Sequence, residues 1–198
     1  MIEYFQGEIA ELSPAQMIIE CNGIGYCLHI SLTTYSAFNG QSKGKVFVHE
    51  LIREDAHLLF GFATREEREL FLLLISVSGV GSNTARLILS SLPPIELIQT
   101  IASGNDAALT TIKGIGNKTA QRIIVDLKNK VKSVENEADK GGRALSAAKR
   151  PDVVDGAVAA LVMLGFLKSQ SQKAVDSVLK NTPTASVEQI IKDALKIL

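Results

Sequence analysis

The chain changes its hydrophobic rhythm more than once. Up to about residue 63, apolar residues fall in short runs: Ile2 to Leu12, Ile18-Ile19-Glu20-Cys21, Tyr26-Cys27-Leu28-His29-Ile30, Val46-Phe47-Val48 and Leu58-Leu59-Phe60. Runs of this length, bounded by turn residues, are strand signals. The turn Asn22-Gly23-Ile24-Gly25 predicts a hairpin between the second and third, and Thr33 to Asn39 predicts a short helix before the fourth. Five short strands in about 60 residues predict a small barrel of OB type.

From Thr64 the period becomes helical. Thr64-Arg65-Glu66-Glu67 matches a capping box and opens a helix running to about Ser76. Helical patterning continues to about Lys132, interrupted at Gly79-Val80-Gly81, Pro93-Pro94, Gly104-Asn105 and Gly114-Ile115-Gly116. The stretch Glu135-Asn136-Glu137-Ala138-Asp139-Lys140-Gly141-Gly142 has almost nothing to bury, so residues 134–150 read as a flexible linker. After Pro151 the apolar period returns: Val154, Val158, Leu161 and Val162 share a helical face ahead of the stop Leu164-Gly165-Phe166. A second helix spans about Ser169 to Leu179, and a third starts near Ser186 with Gln189 completing another capping box. The expected fold class is therefore multidomain α+β: a five-stranded barrel over 1–63, an all-α region over 64–133, the linker, and a three-helix bundle over 151–198. So small a bundle has little core of its own and suits docking onto a partner.

The most informative feature is a duplication inside the helical region. Ser78-Gly79-Val80-Gly81-Ser82-Asn83-Thr84-Ala85 recurs 35 residues later as Lys113-Gly114-Ile115-Gly116-Asn117-Lys118-Thr119-Ala120, and Ile88 matches Ile123. Each copy lies between helical segments, which is the helix-hairpin-helix pattern, and two copies in register weigh far more than one. Paired glycines let a hairpin take positive φ and bring its backbone close to a ligand, while the aliphatic residue between them packs inward. Amides at the start of the following helix then face outward at the positive end of its dipole, which suits a phosphate oxygen whatever the base sequence. Lys118 and Arg122 can add charge-assisted contacts. The alternative is that both segments are merely tight turns. A nucleotide loop at Gly116-Asn117-Lys118-Thr119 is excluded, because Asn117 breaks the Gly-Lys step and the context is helical.

Composition adds bounds. Lys plus Arg and Asp plus Glu each number 21 in 198 residues, so the formal charge is zero, which at first argues against a nucleic-acid binder. Divided along the chain, the balance is −4 over 1–64, +3 over 65–133 where both hairpins lie, +1 over 134–150 and zero beyond. Two cysteines without a CxxC exclude a disulfide scaffold and a zinc module, and Cys21 and Cys27 are expected as small buried side chains. His29, His49 and His57 show no ligand spacing, and no metal or cofactor is expected. The apolar run Leu70 to Ile75 is too short to span a bilayer, and Met1-Ile2-Glu3-Tyr4 does not open like a signal peptide, so a cytoplasmic protein without membrane contact is expected.

Four stretches carry a family resemblance: Gly23-Ile24-Gly25-Tyr26, Arg53-Glu54-Asp55-Ala56, Leu59-Phe60-Gly61-Phe62, and Gly114 to Ala120 running on through Arg122-Ile123-Ile124-Val125-Asp126-Leu127-Lys128. With the order of segments, they make the whole chain resemble the RuvA family, the Holliday-junction-binding subunits of bacterial branch-migration complexes active in recombination and DNA repair. The resemblance implies homotetramers, sometimes paired as octamers, that hold a four-way junction open in square-planar form. It implies duplex arms gripped at minor-groove phosphates through Gly79, Val80, Gly81, Ser82 and Asn83 and through Gly114, Ile115, Gly116, Asn117, Lys118, Thr119 and Arg122. Glu54 and Asp55 match an acidic pin at the junction centre that keeps strands apart and lets DNA slide, with Arg53 beside it steering them. The segment from Pro151 matches a third domain, similar to a ubiquitin-associated bundle, that docks on the hexameric RuvB ATPase; Leu161, Leu164 and Phe166 are the candidates for that contact. The RuvC resolvase is implied as a further partner, and the ATPase activity is implied to lie in RuvB.

Each of these has a plainer alternative in the residues. Glu54-Asp55 is also what a solvated turn looks like, Leu161, Leu164 and Phe166 also suit core duty, and Arg65, Arg68, Lys128, Lys130 and Lys132 also suit a solvated helix face. The sequence departs from the family where Ser82-Asn83 replaces the usual proline and lysine, where Asn117 replaces a frequent lysine, and at the start, Glu3-Tyr4-Phe5-Gln6. Fewer neutralised phosphates imply weaker or more salt-tolerant binding. The rival function is a helix-hairpin-helix nuclease or glycosylase, which needs clustered carboxylates for metal or a nucleophile at a flipped base. Asp126 stands without such a cluster.

Overall fold

The computed structural model describes residues 1–131, 151–182 and 185–198, and the chain divides into two compact units, Met1–Arg143 and Ala144–Leu198. The expected linker, 134–150, and Lys132 lie outside the described residues.

The first unit begins with β1 (Tyr4–Ser13), β2 (Gln16–Cys21), β3 (Ile24–Ile30), β4 (Lys43–Ile52) and β5 (His57–Phe62). They close a barrel in the order β1-β2-β3-β5-β4, β4 pairing back onto β1 from Tyr4↔Phe47 to Glu8↔Lys43. All neighbours are antiparallel except β3 and β5, which meet in parallel at His29↔Phe60 and Ile30↔Gly61. Alternation decides what faces inward: Met17 and Ile19, Leu28 and Ile30, and Val46 and Val48 are buried inside. The β2–β3 turn needs only Asn22 and Gly23, at φ 51° and 80°, so β3 starts two residues earlier than the four-residue turn predicted. Two left-handed residues match the twist of the flanking strands. The same alternation corrects the cysteines. Cys27 is exposed on the outer face beside inward Leu28, its sulfur accepting from Gln16 Nε2 at 2.8 Å, and Cys21 is only half-buried.

Helix α1 (Leu32–Phe38) follows β3, capped by Ser31, whose Oγ accepts from Thr34 N at 3.0 Å. Then come α2 (Arg65–Ile75), α3 (Ser82–Ser91), α4 (Pro94–Ser103), α5 (Asp106–Thr110) and α6 (Asn117–Leu127). They do not build a separate core. Phe60 and Phe62 of β5 pack with Leu70, Phe71 and Leu74 of α2, and the same cluster runs on to Leu89, Leu97, Ile101, Ile123 and Leu127. The Phe71 ring lies 5.0 Å from Phe60 and 4.9 Å from Phe62, within the range of favourable tilted aromatic pairs.

A polar joint crosses the same boundary. Thr64 Oγ1 accepts from Glu67 N at 3.2 Å, as a capping box requires, but the Glu67 carboxylate does not return to the Thr64 amide. It accepts instead from Ala63 N at 3.1 Å, from Thr34 Oγ1 at 2.7 Å and from Ser31 Oγ, and the residue is 1% exposed. Burial pushes the Glu67 carboxyl up, against the opposing pull of those hydrogen bonds. Further bonds fasten α3 to the β1–β2 turn and to α1: Arg86 Nη1 to Ala15 O at 3.0 Å, Thr33 Oγ1 to Leu89 O at 2.7 Å and Leu32 N to Ser90 Oγ at 3.1 Å.

The second unit holds α7 (Pro151–Met163), α8 (Lys168–Asn181) and α9 (Val187–Ala194) around Ala157, Val158, Leu161, Ala174, Val175, Val178 and Ile190. Val162, expected on the packed face, is 41% exposed. Ser186 caps α9 by accepting from Gln189 N at 3.3 Å, whereas the Gln189 side chain turns to Asp193 at 2.7 Å. Again only half of the expected capping box forms.

Candidate nucleic-acid interface

Both expected hairpins form, and they form alike. The first joins α2 to α3 and the second joins α5 to α6. Val80 N donates to Val77 O at 3.0 Å and Ile115 N to Ile112 O at 3.1 Å, while Val80 and Ile115 are each 5% exposed and anchor in the shared core. Ala85 N reaches Gly81 O and Ala120 N reaches Gly116 O, each at 2.9 Å.

The glycines divide into two roles, where the sequence suggested one. Gly79 and Gly114 sit at φ +92° and +91°, in the left-handed region that a side chain disfavours. Gly81 and Gly116 do not: at φ −84° and −89° they are the extended N-caps of α3 and α6, and a Cβ built on either meets nothing within 4 Å. Neither dihedral strain nor neighbouring atoms demand a glycine at these two positions, and the open space leaves their backbone accessible from outside. As caps they also make no side-chain hydrogen bond, so the first-turn amides of Ser82, Asn83 and Thr84, and of Asn117, Lys118 and Thr119, are not satisfied by a capping side chain. Two such helix starts, held by one core, have the chemistry to receive anionic oxygens.

Cations are distributed unequally around the pair. The second hairpin has exposed Lys113 and Lys118. The first has uncharged Ser82 and Asn83, and Arg86, the one cation within α3, is committed to Ala15. Arg122 of α6 is exposed, but its Nη1 donates to Ser78 O at 3.0 Å and so lies against the first hairpin. Periodicity did not signal this contact between repeats.

The acidic pair lies elsewhere on the unit. Arg53, Glu54 and Asp55 are all exposed at the tip between β4 and β5, closed by Arg53 N donating to Ala56 O at 2.8 Å. Below the tip His57 Nε2 meets Glu50 Oε1 at 2.9 Å. His29 and His49 lie half-buried against Phe60 and Phe71, and burial lowers both imidazoles, Arg86 and Arg68 respectively adding to it. Among the described residues no three His, Cys, Asp or Glu side chains group to hold a metal ion, and no helix is long and apolar enough to cross a membrane.

On the second unit, one of the three candidate contact residues is corrected. Leu161 is fully buried in the bundle core and cannot present a surface. Phe166 is partly buried, because the end of α7 is a Schellman turn: Gly165 takes φ +101°, Gly165 N donates to Val162 O at 3.0 Å and Phe166 N to Leu161 O at 3.2 Å. Leu164 is 60% exposed, and the residues that periodicity missed stand beside it in sequence: Val162, Met163 and Leu167 are exposed too.

Comparison with known proteins covers nearly the whole chain. Residues 1–61 match the family model described as RuvA N terminal domain, residues 71–129 match SAM-like helix-hairpin-helix tandem, and residues 152–198 match RuvA, C-terminal domain. The chain is 64% identical over 198 residues to the Holliday junction branch migration complex subunit RuvA of Parabacteroides distasonis, with all of both chains covered. It is 57% identical over 201 residues to the protein of that name from Bacteroides fragilis and 45% over 198 residues to that from Flavobacterium psychrophilum, again with full coverage of both chains.

Proposed function

Since the chain belongs to the RuvA family, we propose that it is the non-catalytic DNA-recognition subunit of a RuvAB branch-migration complex, binding four-way junctions and working with the RuvB ATPase. The observation that carries the reading is the pair of matched hairpins whose second glycines cap the following helices without a side chain and leave the first-turn amides open to a ligand. They bind backbone phosphates through amides, a mode indifferent to base sequence, so specificity comes from the arrangement of duplex arms.

A gel-shift titration tests this, comparing a synthetic four-way junction with linear duplex, with and without magnesium. Tighter binding of the junction is expected; equal affinity for the two would sink the reading, and cleavage of either substrate would support the nuclease alternative. The geometry offers that alternative little, since Asp126 is exposed on α6 and no cluster of potential metal ligands surrounds it among the described residues.

The exposed tip Glu54-Asp55 is the pin in this reading. Two carboxylates held against converging phosphates repel them, and the repulsion grows where water is excluded. Converting them to Glu54→Gln with Asp55→Asn is therefore expected to leave junction affinity equal or higher while changing the rate of branch migration in the presence of RuvB. Weaker binding by the double variant would remove the pin role.

Assembly as a homotetramer, or as two tetramers face to face, belongs to the same reading, supported by the family resemblance. So does contact with RuvC. The second unit is the docking module for RuvB, and Val162, Met163, Leu164 and Leu167 replace Leu161 as its candidate surface.

A further inference from the structure

The repeat invites a comparison of equivalent positions, 35 residues apart. Asn83 corresponds to Lys118, and Leu87, 47% exposed, corresponds to Arg122. The first repeat therefore lacks both cations that the second carries on its following helix. The contacts make up the deficit in one specific way. Arg122 reaches out of its own repeat to the carbonyl of Ser78, the residue before the first glycine of the first hairpin. Its Nη1 lies 4.0 Å from where a Cβ on Gly79 would stand.

We propose that Arg122, carried by the second repeat, is the phosphate-binding cation of the first hairpin. This rests on the reading of the hairpins as phosphate cradles. The guanidinium has five N–H donors in a rigid fork, and the bond to Ser78 O occupies one of them. The others remain for a phosphate oxygen seated on the amides at the start of α3, in the charge-assisted geometry that arginine forms well. The unlike charges of the two repeats are then a division of labour: Lys118 serves its own hairpin and Arg122 its neighbour's.

The test is a pair of double-variant cycles on the full chain, with a synthetic four-way junction as the probe and affinity measured across salt concentration. Arg122→Ala should lose about tenfold in affinity and flatten the salt dependence by about one unit of slope per bound chain. Gly81→Ala reports on the first hairpin and Gly116→Ala on the second. Combining Arg122→Ala with Gly81→Ala should cost little more than the worse single change, whereas combining it with Gly116→Ala should multiply the two losses. The reverse pattern, or an Arg122→Ala protein that binds like the parent, overturns the proposal. Arg122→Lys keeps a charge but not the fork, so it should retain most of the salt slope while binding several-fold more weakly than the parent; a salt slope as flat as that of Arg122→Ala would overturn the phosphate role. If Arg122→Ala does not fold, Arg122→Gln, which keeps a donor for Ser78 without the charge, carries the same cycles. Should the parent show no preference for the junction over duplex, the functional reading fails on its own, and the cycles on bound duplex still decide the role of Arg122.

Discussion

Alanine at both Gly81 and Gly116 is expected to cut four-way-junction affinity by more than about a hundredfold while leaving the protein folded. The two halves of that expectation have separate physical grounds. On the folding side, neither position has positive φ and neither Cβ would meet an atom within 4 Å. The cost is that of replacing glycine by alanine at a helix N-cap, under about 1 kcal/mol each. On the binding side, a methyl group stands where a phosphate would sit against the first-turn amides. Hydrogen bonds to a charged partner contribute about 1.5–3 kcal/mol each, so blocking one hairpin costs at least about tenfold and blocking both multiplies the loss. Circular dichroism melting beside a junction titration checks both halves. A double variant that melts within about 10 °C of the parent yet binds equally well would reduce the hairpins to turns. Gly79 and Gly114 cannot provide so clean a separation, because side chains there strain the hairpin itself.

Glu67→Ala is expected to destabilise the first unit by about 3 kcal/mol, the largest effect on folding from any single polar side chain discussed above. The truncation leaves the Ser31 and Thr34 hydroxyls and the Ala63 amide facing a void in place of a carboxylate. Glu67→Gln keeps the shape and, with its carbonyl at the Oε2 place, an acceptor for Ala63 N and Thr34 Oγ1; only the Ser31 hydroxyl has to turn to accept from its amide, so it should lie within about 1 kcal/mol of the parent. The parent and the Gln variant should also differ in how they respond to pH. Burial raises the folded-state carboxyl above its unfolded value, so the folded protein holds this proton more tightly. The associated stability is fully present below the ordinary glutamate range and is lost as pH rises through the raised folded value. Urea unfolding from about pH 4 to pH 8 should therefore show the parent losing stability relative to Glu67→Gln as pH increases. The lowered carboxyls of Glu3, Glu8 and Asp193 shift in the opposite sense but are common to both proteins. Parallel curves would mean that this carboxyl does not titrate differently on folding.

Local features were the most legible in the sequence. Asn22-Gly23 announces its hairpin, Thr64 and Ser186 announce their caps, and the repeat of Gly79 to Ala85 at Gly114 to Ala120 announces a duplicated motif before any coordinate. Each rests on interactions a few residues apart, which spacing alone encodes. What the sequence concealed depends on distant partners. Glu67 fits a capping box by spacing, yet its carboxylate is drawn into a cluster whose two hydroxyls sit 33 and 36 residues away. Arg122 looks like a cation of its own helix, but 44 residues of separation end in contact with Ser78. Leu161 and Leu164 are three residues apart and equally apolar; the chain's left-handed step at Gly165 ends the helix, with one of them in the core and the other in solvent. The glycine pairs are legible in the sequence as a unit but not as unequal partners, because only dihedral angles and neighbouring atoms distinguish Gly79 from Gly81.

Helix α3 starts at the first hairpin, the proposed phosphate cradle, and is bolted to the barrel turn at Ala15 through Arg86 and to α1 through Leu89 and Ser90. That makes it a gauge of fixed length, ten residues or about 15 Å, between one gripping point and the body of the unit. A single residue inserted within it would advance the cradle by about 1.5 Å and swing it by about 100° around the axis, turning the amides away from the partner they serve. Substitution can therefore run freely along the exposed side of this helix, but length cannot. Insertions and deletions during divergence have to be absorbed elsewhere, and relatives that align with this chain over 198 to 203 positions have had little length to place.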